Sequence, residues 1–117
     1  MNISKFTQKS VQAVQDLEKV AYEYGNQEIE QEHLLYTLLT QEDSLILKLI
    51  EKMEINKDYF MDTVKKALDA KVKVSGGELR FGQYLNKALV NAEDEAKAMG
   101  DEYVSVEHLF LALLKYP

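Results

Sequence analysis

The sequence predicts an all-α fold, a duplicated helical repeat whose two copies pack as a pseudo-two-fold pair. Three observations carry this. One stretch occurs twice: Gly25-Asn26-Gln27-Glu28-Ile29 leads into Glu32-His33-Leu34-Leu35, and Gly100-Asp101-Glu102-Tyr103-Val104-Ser105-Val106 leads into Glu107-His108-Leu109. The offset is constant at 75 residues (100 − 25 for the glycines, 108 − 33 for the histidines) and runs upstream without a gap, pairing Phe6 with Phe81, Gln8 with Gln83, Ala13 with Ala88 and Ala21 with Ala96. A self-match at one fixed shift marks an internal repeat. Finally, apolar residues recur at three- and four-residue steps along most of the chain, the period of a buried helix face.

Each element follows from local signals. A first helix is expected from about Ser4 to Tyr24, with Ser4 or Thr7 as cap and Val11, Val14, Leu17, Ala21 and Tyr24 inward. A hydroxyl there accepts the orphan amide protons of a first turn. Gly25 ends this helix, because glycine takes the left-handed C-terminal conformation without a Cβ clash. Ile29 fits a hydrophobic staple before a second helix, Gln31 to Thr40, whose apolar face is Leu34, Leu35, Leu38 and Leu39. Gln41-Glu42-Asp43-Ser44 breaks the pattern. A third helix is expected from about Ser44 to Met53 with Leu45, Ile46, Leu49, Ile50 and Met53 inward, and a fourth from Lys57 to about Lys71, capped by Asn56, with Phe60, Val64 and Leu68 inward.

Val72 to Arg80, with Ser75-Gly76-Gly77 at its centre, reads as a link between the copies, and no sheet is expected. The chain thus divides into repeat one, about 1–71, a link, about 72–80, and repeat two, about 81–117, all in a single domain. Repeat two begins with a helix from about Phe81 to Met99, with Leu85, Leu89, Ala92 and Ala96 inward. It continues, after Gly100, with one from about Val106 to Tyr116. Pro117 directly after that helix predicts one domain of a longer protein.

The 117 residues, 46% of them hydrophobic, suffice for one core. There is no cysteine, which removes disulfides and thiolate metal sites. A net charge of −6 disfavours nucleic acid and anionic membrane as partners, since both attract basic surfaces. No apolar run approaches a bilayer span or a leader peptide, so a cytoplasmic protein is expected.

His33 and His108 are the only histidines, and each follows a glutamate. Neighbouring residues on a helix point about 100° apart, so a Glu-His pair does not readily share an ion, and the His-x-x-x-His spacing of zinc helices is absent. Repetition at both helix starts predicts a structural role for each histidine. Glu32 and Glu107 fall in first turns, where a carboxylate meets the positive end of the helix dipole. Ser105 is a better cap than its counterpart Glu30. Ser75-Gly76-Gly77 lacks the Gly-Lys-Ser/Thr that would make a phosphate loop, and no nucleophile elbow occurs. A binding module without catalytic residues is expected, rather than an enzyme. A stand-alone metal-dependent helical protein would need Glu and His of both copies to converge.

These motifs carry a resemblance. Lys5-Phe6-Thr7-Gln8-Lys9, the two Glu-His-Leu stretches, Gln41-Glu42-Asp43-Ser44 and Lys73-Val74-Ser75-Gly76-Gly77 together resemble the N-terminal domain of Clp-type AAA+ chaperones, over essentially the whole chain. The Asn-Gln after Gly25 and the Val-Ser-Gly-Gly link point to the ClpB disaggregase branch over ClpC or ClpA.

The resemblance implies two four-helix units, with short helices near Asp43-Ser44 or in the Val72–Arg80 stretch. It also implies a mobile linker to ATPase modules outside this chain. Those modules would hold ATP and magnesium and form a homohexamer, the isolated domain being monomeric. The implied function is capture of apolar segments of unfolded or aggregated polypeptides for that ring, the alternative being adaptor docking in a protease-linked ClpC- or ClpA-type unfoldase. By motif, the implied client-binding residues are Thr7, Asp101 and Glu107, beside an apolar groove lined near Ala13 and Leu89. Gly25, Gly100, His33 and His108 are structural.

Overall fold

In the computed structural model the described residues are 3–74 and 76–115. Among them are six α-helices: α1 Gln8–Glu23, α2 Gln31–Thr40, α3 Leu45–Lys52, α4 Lys57–Asp69, α5 Gln83–Ala98 and α6 Val106–Lys115. A short 3-10 turn, Ile3–Lys5, precedes α1. Helix α2 is central and packs on α1, α3, α4, α5 and α6, while α5 packs mainly on α6 as α1 does on α2. The core is formed by Leu17 and Ala21 of α1, Leu34 and Leu38 of α2, Ile46, Ile50 and Leu68 of α3 and α4, and Leu85, Leu89 and Leu109 of repeat two.

The helix boundaries follow their caps. Thr7 accepts from the Ser10 amide, Ser44 from Leu47 and Asn56 from Tyr59. Ser4 is not a cap. The chain makes a tight turn at Ile3–Lys5 and enters α1 only after Thr7. Gly25 and Gly100 have φ of 71° and 73°, the left-handed geometry expected of both.

Several inward assignments shift. On α1 the fully covered face is Ser10, Ala13, Leu17, Val20 and Ala21, whereas Val11 and Val14 lie at its edge. Leu45 and Met53 are exposed, whereas Ile46 and Ile50 are fully covered and Leu49 packs against the core at its edge. Helix α4 ends at Asp69, before Lys71. Tyr116 and Pro117, the expected end of α6, lie outside the described residues.

The expected absence of a sheet is corrected. Glu28–Ile29 (β1) pairs in parallel with Arg80–Phe81 (β2), two residues each, so among the described residues of the 72–80 link only the last lies in a strand. A matching bridge joins Phe6 to Val104. Under the 75-residue shift Phe6 becomes Phe81, and Val104 corresponds to Ile29. The hydrogen bonds match as well: Thr7 N donates to Val104 O at 2.9 Å, and Gly82 N donates to Ile29 O at 2.8 Å. Each repeat therefore pairs the segment entering its first helix with the segment entering the other repeat's second helix. That reciprocal exchange fixes the pseudo-two-fold relation. A Cβ at Gly82 would lie 2.9 Å from Glu28 Oε1 and 3.1 Å from Ile29 O, so a side chain there would make Glu28 move aside; its counterpart Thr7 carries a side chain in the same pairing.

The first four-helix unit is α1–α4, and α5 and α6 belong to the second. Four α-helices precede the link and two follow it, and among the described residues neither Asp43-Ser44 nor the 72–79 stretch contains a helix.

Candidate functional site

The starts of α1 and α6 come together through the Phe6–Val104 bridge. Ser10 closes this junction. Its buried hydroxyl donates to Val104 O at 2.7 Å and lies 3.0 Å from Thr7 Oγ1. The α2–α3 turn is drawn against the same place, with Gln41 Nε2 donating to Lys9 O and Lys9 Nζ to Glu42 O. Between the three segments lies a cavity of about 390 Å³. Thr7 and Leu45 line it along with Asp43, Ser105, Val106 and Glu107. Of the expected client-binding residues, the structure brings Thr7 and Glu107 together here.

Glu107 is exposed, and among the described residues no ion pair joins it. Asp43 differs: Lys48 bonds it at 2.6 Å and holds its carboxyl below the usual range. Glu32, the counterpart of Glu107, is also occupied, since Lys71 Nζ lies 3.3 Å from it and 2.8 Å from Glu30. Burial works against the Lys71 charge, but the two carboxylates outweigh it and raise its pKa.

Asp101 does not line the cavity. Its Oδ2 lies 2.8 Å from His108 Nε2. His108 Nδ1 accepts the Ser105 amide proton at 2.9 Å, and the Ser105 hydroxyl also lies 3.0 Å from it. A backbone N–H can only donate, so the neutral ring carries its proton on Nε2, facing the carboxylate. Ser105 thus uses its hydroxyl on His108. His33 repeats the geometry: Nδ1 accepts from Glu30 N at 2.9 Å and Nε2 meets Asn26 Oδ1 at 2.9 Å. Asn26 Nδ2 then donates to Val72 O at 3.1 Å, so the first box also grips the link. Both rings are buried, as suits a structural role. Burial, then the Lys71 ammonium, lowers the His33 pKa.

The groove beside Ala13 and Leu89 is corrected. They are 0% and 1% exposed and lie in the core. The residues that do shape the cavity, Leu45, Val106 and the Gln41–Asp43 turn, were missed. The three-residue spacing of Thr7 and Ser10 hints only at a cap. Asn26 was legible in principle, because the 75-residue shift sets it opposite Asp101.

Among the described residues no group of three or more His, Cys, Asp or Glu could hold a metal ion. No helix there is long and apolar enough to cross a membrane.

Known proteins agree with this architecture. Residues 5–117 match the family model described as the Clp repeat (R) N-terminal domain. The chaperone protein ClpB of Nitratidesulfovibrio vulgaris is 38% identical over 122 aligned residues, which take in 100% of this chain and 14% of that protein. The ClpB of Porphyromonas gingivalis is 40% identical over 114 residues, 97% of this chain and 13% of that one. The chain therefore spans about a seventh of the length of these relatives. Among solved structures, the Hsp104 N-terminal domain from Candida albicans superposes with a TM-score of 0.86 at 21% identity, covering 97% of this chain and 75% of that one. The N-terminal domain of the ClpV1 ATPase from E. coli gives 0.87 at 23%, covering 98% and 71%. With a family model spanning nearly its whole length and relatives well above 30% identity, this chain belongs to the Clp N-terminal domain family, as a binding domain distinct from the ATPase module.

Proposed function

We propose that this domain is the client-recognition part of a ClpB-type disaggregase, binding exposed apolar segments of unfolded or aggregated proteins and handing them to a hexameric ATPase ring. ATP and magnesium would be held by modules outside this chain, and the isolated domain would be a monomer. The observation that carries the reading is the cavity between α1 and α6, where the unpaired Glu107 carboxylate stands beside Thr7, Leu45 and Val106. Misfolded clients share exposed apolar side chains and little else, and apolar attraction is non-directional, so a small open cavity holds them weakly and without strict sequence choice. Thr7 and Glu107 contact the client, and Asp101 positions the start of α6 through His108. The acidic rim favours clients with basic residues beside apolar ones.

An NMR titration of the domain with a permanently unfolded protein tests this. Shifts should cluster at the start of α1, the α2–α3 turn and 100–109, and weaken in Thr7→Ala and Glu107→Gln. Thr7→Ser keeps the cap and should bind better than Thr7→Ala. Acidic and basic versions of one apolar peptide that bind equally at low salt would remove the charge preference. No shifts with any unfolded client would make adaptor docking the better reading.

A further inference from the structure

A second cavity, of about 470 Å³, lies on the other side of Gln41, lined by Gln8, Lys9, Gln12, Asp16, Gln41 and Glu42. Gln8, Lys9 and Gln41 line both cavities, so the two are neighbouring compartments of one trough. The strut between them is two exposed bonds, Gln41 Nε2 to Lys9 O at 2.9 Å and Lys9 Nζ to Glu42 O at 2.6 Å. Resting on the client-binding reading above, we infer that this second compartment is a main-chain-binding subsite, which holds the backbone of an extended, basic polypeptide segment whose apolar side chains enter the first compartment.

The lining chemistry supports an extended occupant. A glutamine carboxamide both donates and accepts, as a peptide group does, so it pairs with main chain without regard to side-chain identity. Gln8 and Gln12 stand one turn apart on the exposed side of α1. Side chains at that spacing are about 5–6 Å apart, close to the ~6.6 Å over which an extended chain repeats its outward-facing N–H and C=O groups. A helical ligand would have satisfied its own amides and left the carboxamides without partners. The bonds to be exchanged are weakly held: Gln12 Nε2 donates to Asp16 Oδ1 at an exposed site, and Gln41 bonds Lys9 O. Charge sets the second preference. The Glu42 carboxylate has no partner among the described residues, whereas Lys9 already donates to Glu42 O at 2.6 Å. With Glu107 in the other compartment, the trough presents free carboxylates to basic side chains.

The test uses three probes with this domain: a reduced, carboxymethylated unfolded protein, a 12-residue peptide alternating valine and lysine, and that peptide N-methylated at every second amide. Binding is read by fluorescence anisotropy against the Gln8→Ala/Gln12→Ala double variant. Both positions are exposed and alanine favours helix, so the unfolding midpoint should not move. The unmodified peptide should bind the variant about five-fold more weakly. The N-methylated peptide should bind the native domain with a similar loss and the variant with no further loss, the non-additivity of groups that touch. The subsite is overturned if the double variant binds both peptides as the native domain does while Glu107→Gln weakens them. If the native domain binds none of the probes, the client reading itself falls and the subsite with it. If only a helix-stabilised form of the peptide binds, the occupant is helical and the main-chain reading fails.

Discussion

The two Glu-His boxes do the same work on the backbone and different work beyond it. His33 and His108 each accept the amide proton three residues back and so hold the start of α2 or α6. Beyond the ring, His33 meets the neutral Asn26, which ties Val72 and with it the link between the repeats. His108 meets the Asp101 carboxylate, whose side chain is 48% exposed. Repeat one has turned its box inward as a clasp, and repeat two presents its box at the surface next to the cavity. The carboxylates preceding the histidines divide in the same way, Glu32 quenched by Lys71 and Glu107 free. The two helix starts are alike in their backbone bonds and differ in the ring's second partner, Asn26 or Asp101, which makes one a joint and leaves the other part of a candidate binding surface.

The strongest way to break this comparison is to remove the rings. His33→Ala should cost about 3 kcal/mol, because a fully buried ring is lost and the Glu30 amide and Asn26 carboxamide lose their partner. His108→Ala should cost about 2 kcal/mol, since water can reach the half-exposed Asp101. Urea unfolding of both variants measures this, and equal losses would mean that the clasp on Val72 adds nothing.

Acid should act on the first box. The His33 pKa is depressed in the folded state, so the unfolded chain takes up the proton first, and stability present above about 6.5 declines below it. The decline should begin near pH 6.5 and end once the folded-state ring also takes up its proton. A pH series of melting temperatures should show this decline in the native protein and a flatter one in a His33→Gln variant.

What was legible in the sequence follows the same division between local and paired features. Helix α2 begins and ends where its signals put it, at Gln31 and Thr40, because its staple and cap lie within a few residues. The reciprocal pairings of Phe6 with Val104 and Phe81 with Ile29 were not legible, since one- and two-residue pairings leave no alternation to count. The burial of Ala13 and Leu89 depends on which helices cover α1 and α5, which periodicity does not report. Ser10 illustrates the limit. It occupies the position of Leu85, both are 0% exposed, and only the structure shows Val104 O waiting for its hydroxyl. Ser10→Ala should cost about 1 kcal/mol, because Thr7 N still satisfies that carbonyl. A loss of 3 kcal/mol in the unfolding free energy would show that the hydroxyl holds the two repeats together.

The smallest expected effect sharpens the comparison most. Glu107→Gln and Glu32→Gln remove the same charge from equivalent first turns, so helix-dipole losses should match at a few tenths of a kcal/mol. Only Glu107 is free to meet a ligand. A basic apolar peptide at low salt should therefore bind Glu107→Gln two- to three-fold more weakly, in line with roughly 0.5 kcal/mol for one exposed ion pair, and bind Glu32→Gln unchanged. Glu32→Gln should instead loosen Lys71, which retains Glu30 as its partner at 2.8 Å. Raising salt should erase the Glu107 difference, because an exposed pair is screened. Equal weakening in both variants would mean that the domain's net charge, rather than one carboxylate at the mouth of the cavity, attracts the peptide. The two repeats would then be equivalent in the one respect that separates them here.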